Sequence, residues 1–399
     1  MNDFFVIIGV ASKQKREYAS HILKSRNLVE KDVHITDARN RSLRFQKYFS
    51  DSGDYIYCSD IPGLFNELNL DHNPEEWRLS IDSNLSSLKG LLLPNETKST
   101  KPIIPLIYGD KERKHEDYQA IATIMQLIEY NTYKWMICSD LKVTNLCRGL
   151  KQGRPRHMCI YCLWVTTSRD FEEKWSKEWP LRSDDETIGE NSVQCAAAVN
   201  QIGRFWAPPL HTKLGIVQVF IQTILKRRKN NSVSFSQLSK FLAAAMNKTA
   251  NFFTTKATLT GPEIRKLVLS HREDFISLLD QDEAQAWILF EEVDKGFFGN
   301  NKIDNYHILV ANMLEAFKAI GASCTYKMHL LNCHLDAFPP NCGAQGEQQG
   351  ERAHQDFKRT EDRFRGPRDG HRGIAFIADH LASSHSQSDF TYSRKLTKH

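Results

Sequence analysis

The sequence predicts a mixed α/β protein in which a central sheet is followed by a large, all-helical insertion. Between residues 77 and 108, apolar residues alternate with polar ones or form short runs closed by proline, which is typical of strands. From residue 213 to residue 320, apolar residues instead recur at helical spacing. The chain has 399 residues, of which 41% are hydrophobic and 25% charged, as expected for a globular protein with two or three packed units.

The first region, residues 1–72, is basic. Up to Lys47 it holds ten Lys or Arg against five Asp or Glu, in a pattern typical of exposed helices. Such a face is either simply solvated or contacts the phosphate backbone of DNA, and the sequence leaves both interpretations open. No zinc-finger or helix-turn-helix pattern is recognisable in this region.

The nine cysteines are interpreted through the compartment that the sequence indicates. The apolar residues 4–11 are too short to span a bilayer, and Asp3 rather than a basic segment precedes them. We therefore expect a reducing, intracellular compartment and no membrane partner. In such a compartment, paired cysteines more often bind metal than form disulfides.

Residues 73–168 are predicted to form the first part of the core. The expected elements are strands at 77–82, 88–93 and 102–108, a helix at 112–130, a strand at 135–138, a helix to about residue 150, and a fifth strand or turn at 158–165. This is the element order of the ribonuclease H-like fold, in which three antiparallel strands are extended by parallel ones through helical crossovers. We therefore predict a ribonuclease H-like mixed sheet.

In that fold the first and fourth strands are neighbours, so Asp82 on the first and Asp140 after the fourth should meet. Two carboxylates at the ends of core strands can hold a divalent cation, because Mg²⁺ prefers oxygen ligands and keeps positions open for phosphate. Each aspartate taken alone is more often a turn or helix-cap residue. The shared topology favours the metal site.

A second candidate metal site involves cysteine and histidine. Cys159 and Cys162 form a Cys-x-x-Cys pair, which is half of a tetrahedral zinc site. The helical insertion, assigned to residues 169–325, is followed by His329 and His334, which are too far apart for one straight helical face but can meet around a distorted turn. They would complete the site. His211, in a Pro-Pro-Leu-His motif, is a rival ligand, although a histidine satisfied at a helix start is the favoured interpretation.

The last folded region, residues 326–383, includes a glycine-punctuated turn that enters a basic helix. Seven Lys or Arg lie between residues 352 and 372. This is the best candidate for a DNA-facing stretch, and its predicted contacts are Arg352, Lys358, Arg359 and Arg363. The polar residues 384–399 are predicted to form a disordered tail.

In order and spacing, these motifs resemble the catalytic core of DDE transposases, most closely the Transib transposases and the related V(D)J recombinase catalytic subunit. In that family a Cys-x-x-Cys follows the second catalytic Asp, as residues 159 and 162 follow Asp140. A His-x4-His pair precedes a catalytic Glu, as residues 329 and 334 precede Glu351. The family context Glu-x-x-Asn-x-x-Phe-basic matches residues 351–359, with His354 in place of Asn. The phrases PEEWRLSIDS and PPLHTKLG also look like those of transposon-derived proteins of animal genomes, and the resemblance covers roughly residues 75–365.

The resemblance implies that Asp82, Asp140 and Glu351 are catalytic and hold two Mg²⁺ or Mn²⁺ ions, with Glu347 as a competing third carboxylate. It also implies a structural Zn²⁺, double-stranded DNA as the partner, a nuclear location and an arrangement compatible with a homodimer. The expected function is that of a transposon-derived DNA strand transferase or endonuclease. The alternative is a catalytically inactive, host-adopted DNA-binding protein that keeps the fold. The family's amino-terminal DNA-binding region is not recognisable here.

Overall fold

The chain is a mixed α/β protein in which many helices surround one six-stranded mixed sheet. The structure is a computed structural model, and it describes residues 21–22, 25–26, 43–83, 87–96, 99, 101–110, 117–249, 260–363 and 370–387. The predicted fold class is confirmed at the level of a mixed sheet combined with a large helical region.

The sheet has the strand order β1-β2-β5-β4-β3-β6. The strands are β1 (Phe49–Asp51), β2 (Tyr55–Cys58), β3 (Trp77–Ser83), β4 (Ser87–Pro94), β5 (Ile104–Asp110) and β6 (Met136–Ile137). All neighbouring pairs are antiparallel except β3 and β6, which run parallel with Leu79 opposite Ile137. Strands β3 to β6 confirm the four strands predicted between residues 77 and 138, and the predicted contact between the first and fourth of them.

Helices make up most of the rest of the chain. They are α1 (Ile61–Glu67), α2 (Tyr118–Leu127), α3 (Tyr130–Tyr133), α4 (Leu141–Cys147), α5 (Phe171–Lys174), α6 (Pro209–Arg227), α7 (Ser232–Ala245), α8 (Gly261–Ser270), α9 (Arg272–Ser277), α10 (Gln281–Gly296), α11 (Tyr306–Ala319), α12 (Tyr326–Cys333), α13 (Cys342–Gln345), α14 (Gln348–Arg363) and α15 (Gly370–Gln387). Helices α6 to α11 form the insertion around aromatic side chains, with Phe220 against Trp287 at 5.2 Å and Phe317 at 5.6 Å. Before α6, residues 175–208 contain little regular structure beyond a 3₁₀ turn at Ile202–Arg204.

The amino-terminal boundary differs from the one that the sequence predicts at residue 72. Strands β1 and β2 extend the sheet beyond β5, so residues 49–58 belong to the core and not to a separate basic region. Phe45, Tyr48 and Tyr55 are buried there. Basic residues are interspersed with these apolar ones and obscure the strand pattern, yet the buried apolar side chains stabilise this part of the core. Most of the residues that carry the predicted exposed helical pattern lie outside the described part of the chain.

The predicted fifth strand does not form at residues 158–165. That segment makes only isolated bridges, one between His157 and Val165 and one between Cys162 and Leu181. The position beside β6 is taken by Phe205, which forms a parallel bridge with Ile137. The alternative that the sequence left open, a turn carrying the cysteines, therefore describes this segment.

Strand β3 presents two different faces, because side chains alternate along a strand. Arg78, Ser80 and Asp82 share one face, while the opposite face is apolar and buried: Trp77, Leu79 and Ile81. The polar face is not turned to solvent, since Arg78 and Ser80 are also buried. Helix α14 packs on it.

Two contacts fix α14 on β3. Arg78 donates hydrogen bonds to Oε1 of Gln349 at 2.6 Å and to the backbone oxygen of Ala344 at 3.1 Å. At the next residue of α14, a Cβ added to Gly350 would lie 2.3 Å from Oγ of Ser80. The backbone of α14 therefore lies directly against the Ser80 side chain, and glycine makes this close approach possible.

The carboxyl-terminal helix α15 packs against β1, β2 and β5. It continues to Gln387, so residues 384–387, which the sequence predicts as the start of a disordered tail, are helical. Residues 388–399 of that predicted tail lie outside the described residues. No helix built from the described residues is both long enough and apolar enough to cross a bilayer.

Candidate functional site

The two cysteines and two histidines singled out in the sequence meet in one cluster. The sulfurs of Cys159 and Cys162 and one ring nitrogen each of His329 and His334 all lie within 4.8 Å of one another. Cys162 Sγ lies 3.2 Å from Nε2 of His329 and 3.2 Å from Nε2 of His334. Two sulfurs and two nitrogens grouped in this way can bind a metal such as zinc.

The two histidines reach the cluster from different backbone conformations. Helix α12 ends at Cys333, and His334 leaves the helical conformation with φ −136° and ψ 44°. This is the distorted turn that the five-residue spacing predicts. Trp164 stacks on His329 with ring centroids 4.5 Å apart and 7° between the planes, which holds the imidazole in place.

Arg182 supports the backbone of the cysteine loop, and the two thiols of the loop have pKa values shifted in opposite directions. Arg182 donates to the backbone oxygen of Cys159 at 2.5 Å and pairs with Glu186 at 2.7 Å. The pKa of Cys162 is lowered, chiefly because the Cys159 thiol donates a hydrogen bond to its sulfur, whereas burial raises the pKa of Cys159. Cysteine binds metal as the thiolate, and the hydrogen bond from Cys159 favours that form at Cys162.

A second site lies where β3 and β6 end. Asp82 stands near the end of β3, and Asp140 follows β6 as the N-cap of α4, with its Oδ1 accepting from the backbone N–H of Val143 at 2.7 Å. Since β3 and β6 are parallel neighbours, both carboxylates lie at the same end of the sheet. Asp140 is therefore both a cap residue and a cleft residue, so the two interpretations of it are compatible.

Glu351 joins the aspartates from the first turn of α14. Asp82, Asp140 and Glu351 line one cleft of about 280 Å³. The contacts of Arg78 and Gly350 with the rest of the interface set the position of this helix on β3. The structure thus brings the three predicted catalytic carboxylates to one place, although Asp140 and Glu351 are separated by 211 positions in the chain.

The cleft also contains Glu347 and His211. Glu347 is buried and accepts hydrogen bonds from the backbone N–H of His211 at 2.7 Å and from its Nδ1 at 3.0 Å. Nε2 of the same ring lies 3.8 Å from Oε1 of Glu351. His211 therefore links the two glutamates and is not part of the cysteine–histidine cluster. Both glutamates line the cleft, Glu347 buried and Glu351 partly exposed.

The electrostatics of the cleft show that its carboxylates repel one another. Burial is the main reason that the pKa of Glu351 is raised, and the charges of Glu347, Asp82 and Asp140 raise it further. The charge of His211 acts in the opposite direction. Burial lowers the pKa of His211, but the hydrogen bond to Glu347 and the surrounding carboxylate charges outweigh burial, and the pKa is raised. Such a gathering of negative charge favours a cation.

The donor atoms of the cleft are oxygens of the kind that hard divalent cations prefer. Among the described residues, the cysteine–histidine cluster is the group of three or more ligand side chains close enough together to hold a metal ion as it stands. In the cleft, Glu351 is turned toward His211, and its side chain is 43% exposed, which leaves it room to turn toward the aspartates.

A larger groove opens from the cleft and runs between the insertion and α14. Its volume is about 830 Å³, and it shares Glu351 and Gln355 with the cleft. Its lining combines cations with apolar side chains, including Leu269, which is 73% exposed. The cations are Lys213, Arg265, Lys266 and Arg352, and the acidic residues are Asp294 and Glu351. Cations are therefore in excess along the groove.

The predicted DNA contacts divide into two groups. Arg352 is exposed and lines the groove. Lys358, Arg359 and Arg363 lie on α14, but the placement of their side chains is outside the described part of the structure. The sequence interpretation missed Arg265 and Lys266, whose adjacent positive charges on an amphipathic helix were the available signal. It also missed Arg78, a charged residue inside an otherwise strand-like alternation.

Two family models match separate parts of the chain. A domain of unknown function, DUF8703, matches residues 38–197, and a second domain of unknown function, DUF8704, matches residues 209–299. No curated protein matches the sequence. The first match contains the whole sheet together with both aspartates and both cysteines, and the second begins at the first residue of α6. Both matches end before His329, His334 and Glu351, the residues that complete the two sites.

Proposed function

We propose that the chain is a metal-dependent DNA strand transferase or endonuclease with a ribonuclease H-like core, derived from a DDE-type transposase. One observation carries this proposal, namely that Asp82, Asp140 and Glu351 line a single cleft although they come from β3, the end of β6 and α14. The sheet supports the fold assignment, because antiparallel β5, β4 and β3 are followed by parallel β6 beside β3.

In this proposal the three carboxylates bind two Mg²⁺ or Mn²⁺ ions. When bound, such ions would supply activation of a water or a 3′-hydroxyl and stabilisation of the leaving oxygen during in-line attack on phosphate. Asp140 is the fixed ligand, because its cap hydrogen bond to Val143 orients the carboxylate. Glu351 is the mobile one, and His211, held by Glu347, limits where it can turn.

The zinc in this proposal is structural. Cys159 and Cys162 belong to the sheet region, while His329 and His334 come from α12, after the helical insertion. A zinc bound by all four would tie the end of the insertion to the core. The chain then continues directly into α13 and α14, so the same tie helps to place Glu351 over the aspartates.

The groove supports a nucleic acid as the substrate. Sites that bind single strands combine a positively charged path for phosphates with apolar or aromatic surfaces for bases. Arg265, Lys266 and Arg352 supply the charge here, and Leu269 lies exposed beside them. We propose double-stranded DNA as the partner, with the strand to be cut entering this groove, and accordingly a nuclear location.

The test is cleavage by the purified full-length chain. Duplexes that carry candidate terminal repeats are incubated with Mg²⁺ or Mn²⁺, and the products are resolved on denaturing gels. We expect nicked or joined products, none with Asp82→Asn or Glu351→Gln, and reduced but detectable product with Glu347→Gln. DNA binding without any cleavage would instead support the alternative, an inactive DNA-binding protein that keeps the fold.

A further inference from the structure

The carboxylate cleft contains a nitrogen donor to which the proposed reaction gives no role. His354 follows Glu351 by three residues on α14, so the two side chains lie on the same face of the helix. Both line the cleft with Asp82 and Asp140. His354 is only 5% exposed, and neither of its ring nitrogens has a hydrogen-bond partner among the described residues.

A buried imidazole with two unpaired nitrogens is unfavourable and calls for an explanation. Protonation does not supply one, because burial and the nearby charges of Lys89 and His380 lower the pKa of His354 to about 3. The ring is therefore neutral. A neutral imidazole carries a proton on one nitrogen and a free lone pair on the other, so it can act as a ligand.

Other histidines in the described residues have contacts that account for their positions. His72 accepts a hydrogen bond from Nε1 of Trp135 at 3.1 Å. His329 belongs to the cysteine–histidine cluster, and His380 packs on Phe357 with ring centroids 4.4 Å apart. His354 is distinguished by the combination of burial, unpaired nitrogens and a position on the wall of the cleft.

We propose that His354 is a nitrogen ligand of the divalent cation bound in this cleft, and that it shifts the preference of the site from Mg²⁺ toward Mn²⁺. The inference rests on the cation site of the proposed function. Mg²⁺ demands oxygen ligands in near-ideal octahedral geometry, whereas imidazole nitrogen suits first-row transition metals. In the motif that residues 351–359 resemble, Asn stands at this position and offers an amide oxygen instead.

The first test measures metal preference without any reaction. The zinc-loaded full-length chain is titrated with Mn²⁺, free Mn²⁺ is followed by electron paramagnetic resonance, and Mg²⁺ is added as the competitor. We expect the wild type to prefer Mn²⁺ and His354→Asn to lose roughly tenfold or more of that preference, the scale on which groups around a metal tune its affinity. The control, His72→Asn, should keep the wild-type ratio. An unchanged ratio in His354→Asn overturns the proposal.

The second test does not depend on whether His354→Asn folds. A nitrogen bound directly to Mn²⁺ produces modulation in the electron spin echo, and ¹⁵N-labelled histidine shifts its frequency. We expect this signal in the wild type and in His72→Asn, which alters a histidine outside the cleft, and its loss in His354→Gln. No signal in the wild type, or a signal that persists in folded His354→Gln, overturns the role of His354.

Asp140→Asn separates this inference from the proposed function. If that variant no longer binds Mn²⁺ while the wild type binds it but shows no nitrogen signal, the carboxylates form the cation site and His354 is not a ligand. If the wild type binds neither metal, with or without DNA, the cleft is not a cation site, and both the proposed function and the role of His354 are wrong.

Discussion

Gly350 of α14 approaches Ser80 of β3 so closely that a Cβ on the glycine would lie 2.3 Å from the serine Oγ. Glu351 is the next residue along α14, and Asp82 lies two residues from Ser80 on the same face of β3. The contact therefore sets the distance between the helix that carries the third carboxylate and the strand that carries the first. Packing at one glycine controls the geometry of the cleft.

Replacing Gly350 by alanine should destabilise the protein and reduce cleavage. Helix propensity alone would favour alanine by about 1 kcal/mol, but forcing an extra methyl into a close-packed contact costs about 1–3 kcal/mol. A χ1 rotation can carry the Ser80 Oγ aside, but the Ser80 Cβ would still lie 3.2 Å from the added methyl, so α14 must shift slightly. Thermal unfolding and cleavage measured on the same preparation check this.

Gly203→Ala is the control for that substitution, since a Cβ there meets nothing within 4 Å. It should leave both the melting temperature and cleavage unchanged. A Gly350→Ala protein that melts at or above the wild-type temperature and cleaves normally would show that the contact does not set the cleft.

The sequence allows the strands from β3 to β6 to be predicted, because their apolar alternation and proline boundaries are local signals. It does not reveal β1 and β2, which are only three and four residues long and sit in a basic stretch. For residues 158–165 it leaves a strand and a turn open, because apolar residues surround a Cys-x-x-Cys, and the structure forms the turn. Short strands and metal-binding loops depend on partners distant in the chain, and local patterns do not report them.

The candidate sites also contain some residues whose contacts the sequence predicts and others whose contacts it does not. The cysteine–histidine cluster was predictable because each half has a recognisable spacing, and the turn at His334 follows from that spacing. For His211 the favoured interpretation, a histidine satisfied at a helix start, describes the structure, but its partner Glu347 could not be named because it lies 136 positions away in the chain. The role of Arg78 was also beyond prediction, because an arginine in a strand normally faces water, and only the packing of α14 shows that this one is buried.

Cys159→Ser or His334→Ala should lose about one bound zinc per chain and lower the melting temperature. A structural metal site contributes free energy of folding directly, and each kcal/mol shifts the melting temperature of a domain by about 2–4 °C. Elemental analysis and thermal unfolding measure the two effects. Cys195→Ser, which alters a cysteine outside the cluster, should change neither quantity. If the purified wild-type protein contains no zinc, these four residues do not form a zinc site.

Replacing Arg265, Lys266 and Arg352 together by alanine should weaken DNA binding and flatten its dependence on salt. Each phosphate contact contributes about 0.9 to the slope of the logarithm of the binding constant against the logarithm of the salt concentration. The triple variant should therefore lose up to about 2.7 from that slope. Binding isotherms at several salt concentrations give the value.

The matched control replaces three exposed lysines of the insertion that do not line the groove, Lys229, Lys240 and Lys295. It removes the same net charge, so any loss of DNA affinity that both triple variants share reflects the overall charge of the protein and not a contact in the groove. An equal slope in the two variants would mean that the groove is not where DNA binds.

The basic residues farther along α14 give a separate prediction. Replacing Lys358, Arg359 and Arg363 by alanine should weaken binding to DNA of any sequence, because phosphate contacts carry no sequence information. Comparing a specific duplex with a random one at matched salt measures this. If affinity for both duplexes and the salt slope stay at their wild-type values, these residues form a solvated face of the helix.

Asp140→Asn should abolish cleavage while leaving zinc content, DNA binding and the fold nearly intact. The substitution removes a metal-binding charge, but asparagine is as good an N-cap as aspartate, so the hydrogen bond from Val143 to the side chain is kept. Cleavage is read on denaturing gels, zinc by elemental analysis and stability by thermal unfolding of the same samples. Asp117→Asn provides the matched control, because Asp117 caps α2 in the same way, with Oδ1 accepting from Ala120 at 2.8 Å, and does not line the cleft. It should cleave like the wild type. Cleavage by Asp140→Asn at the wild-type rate would rule out the carboxylate cleft as the catalytic site, even if zinc and DNA bind as expected.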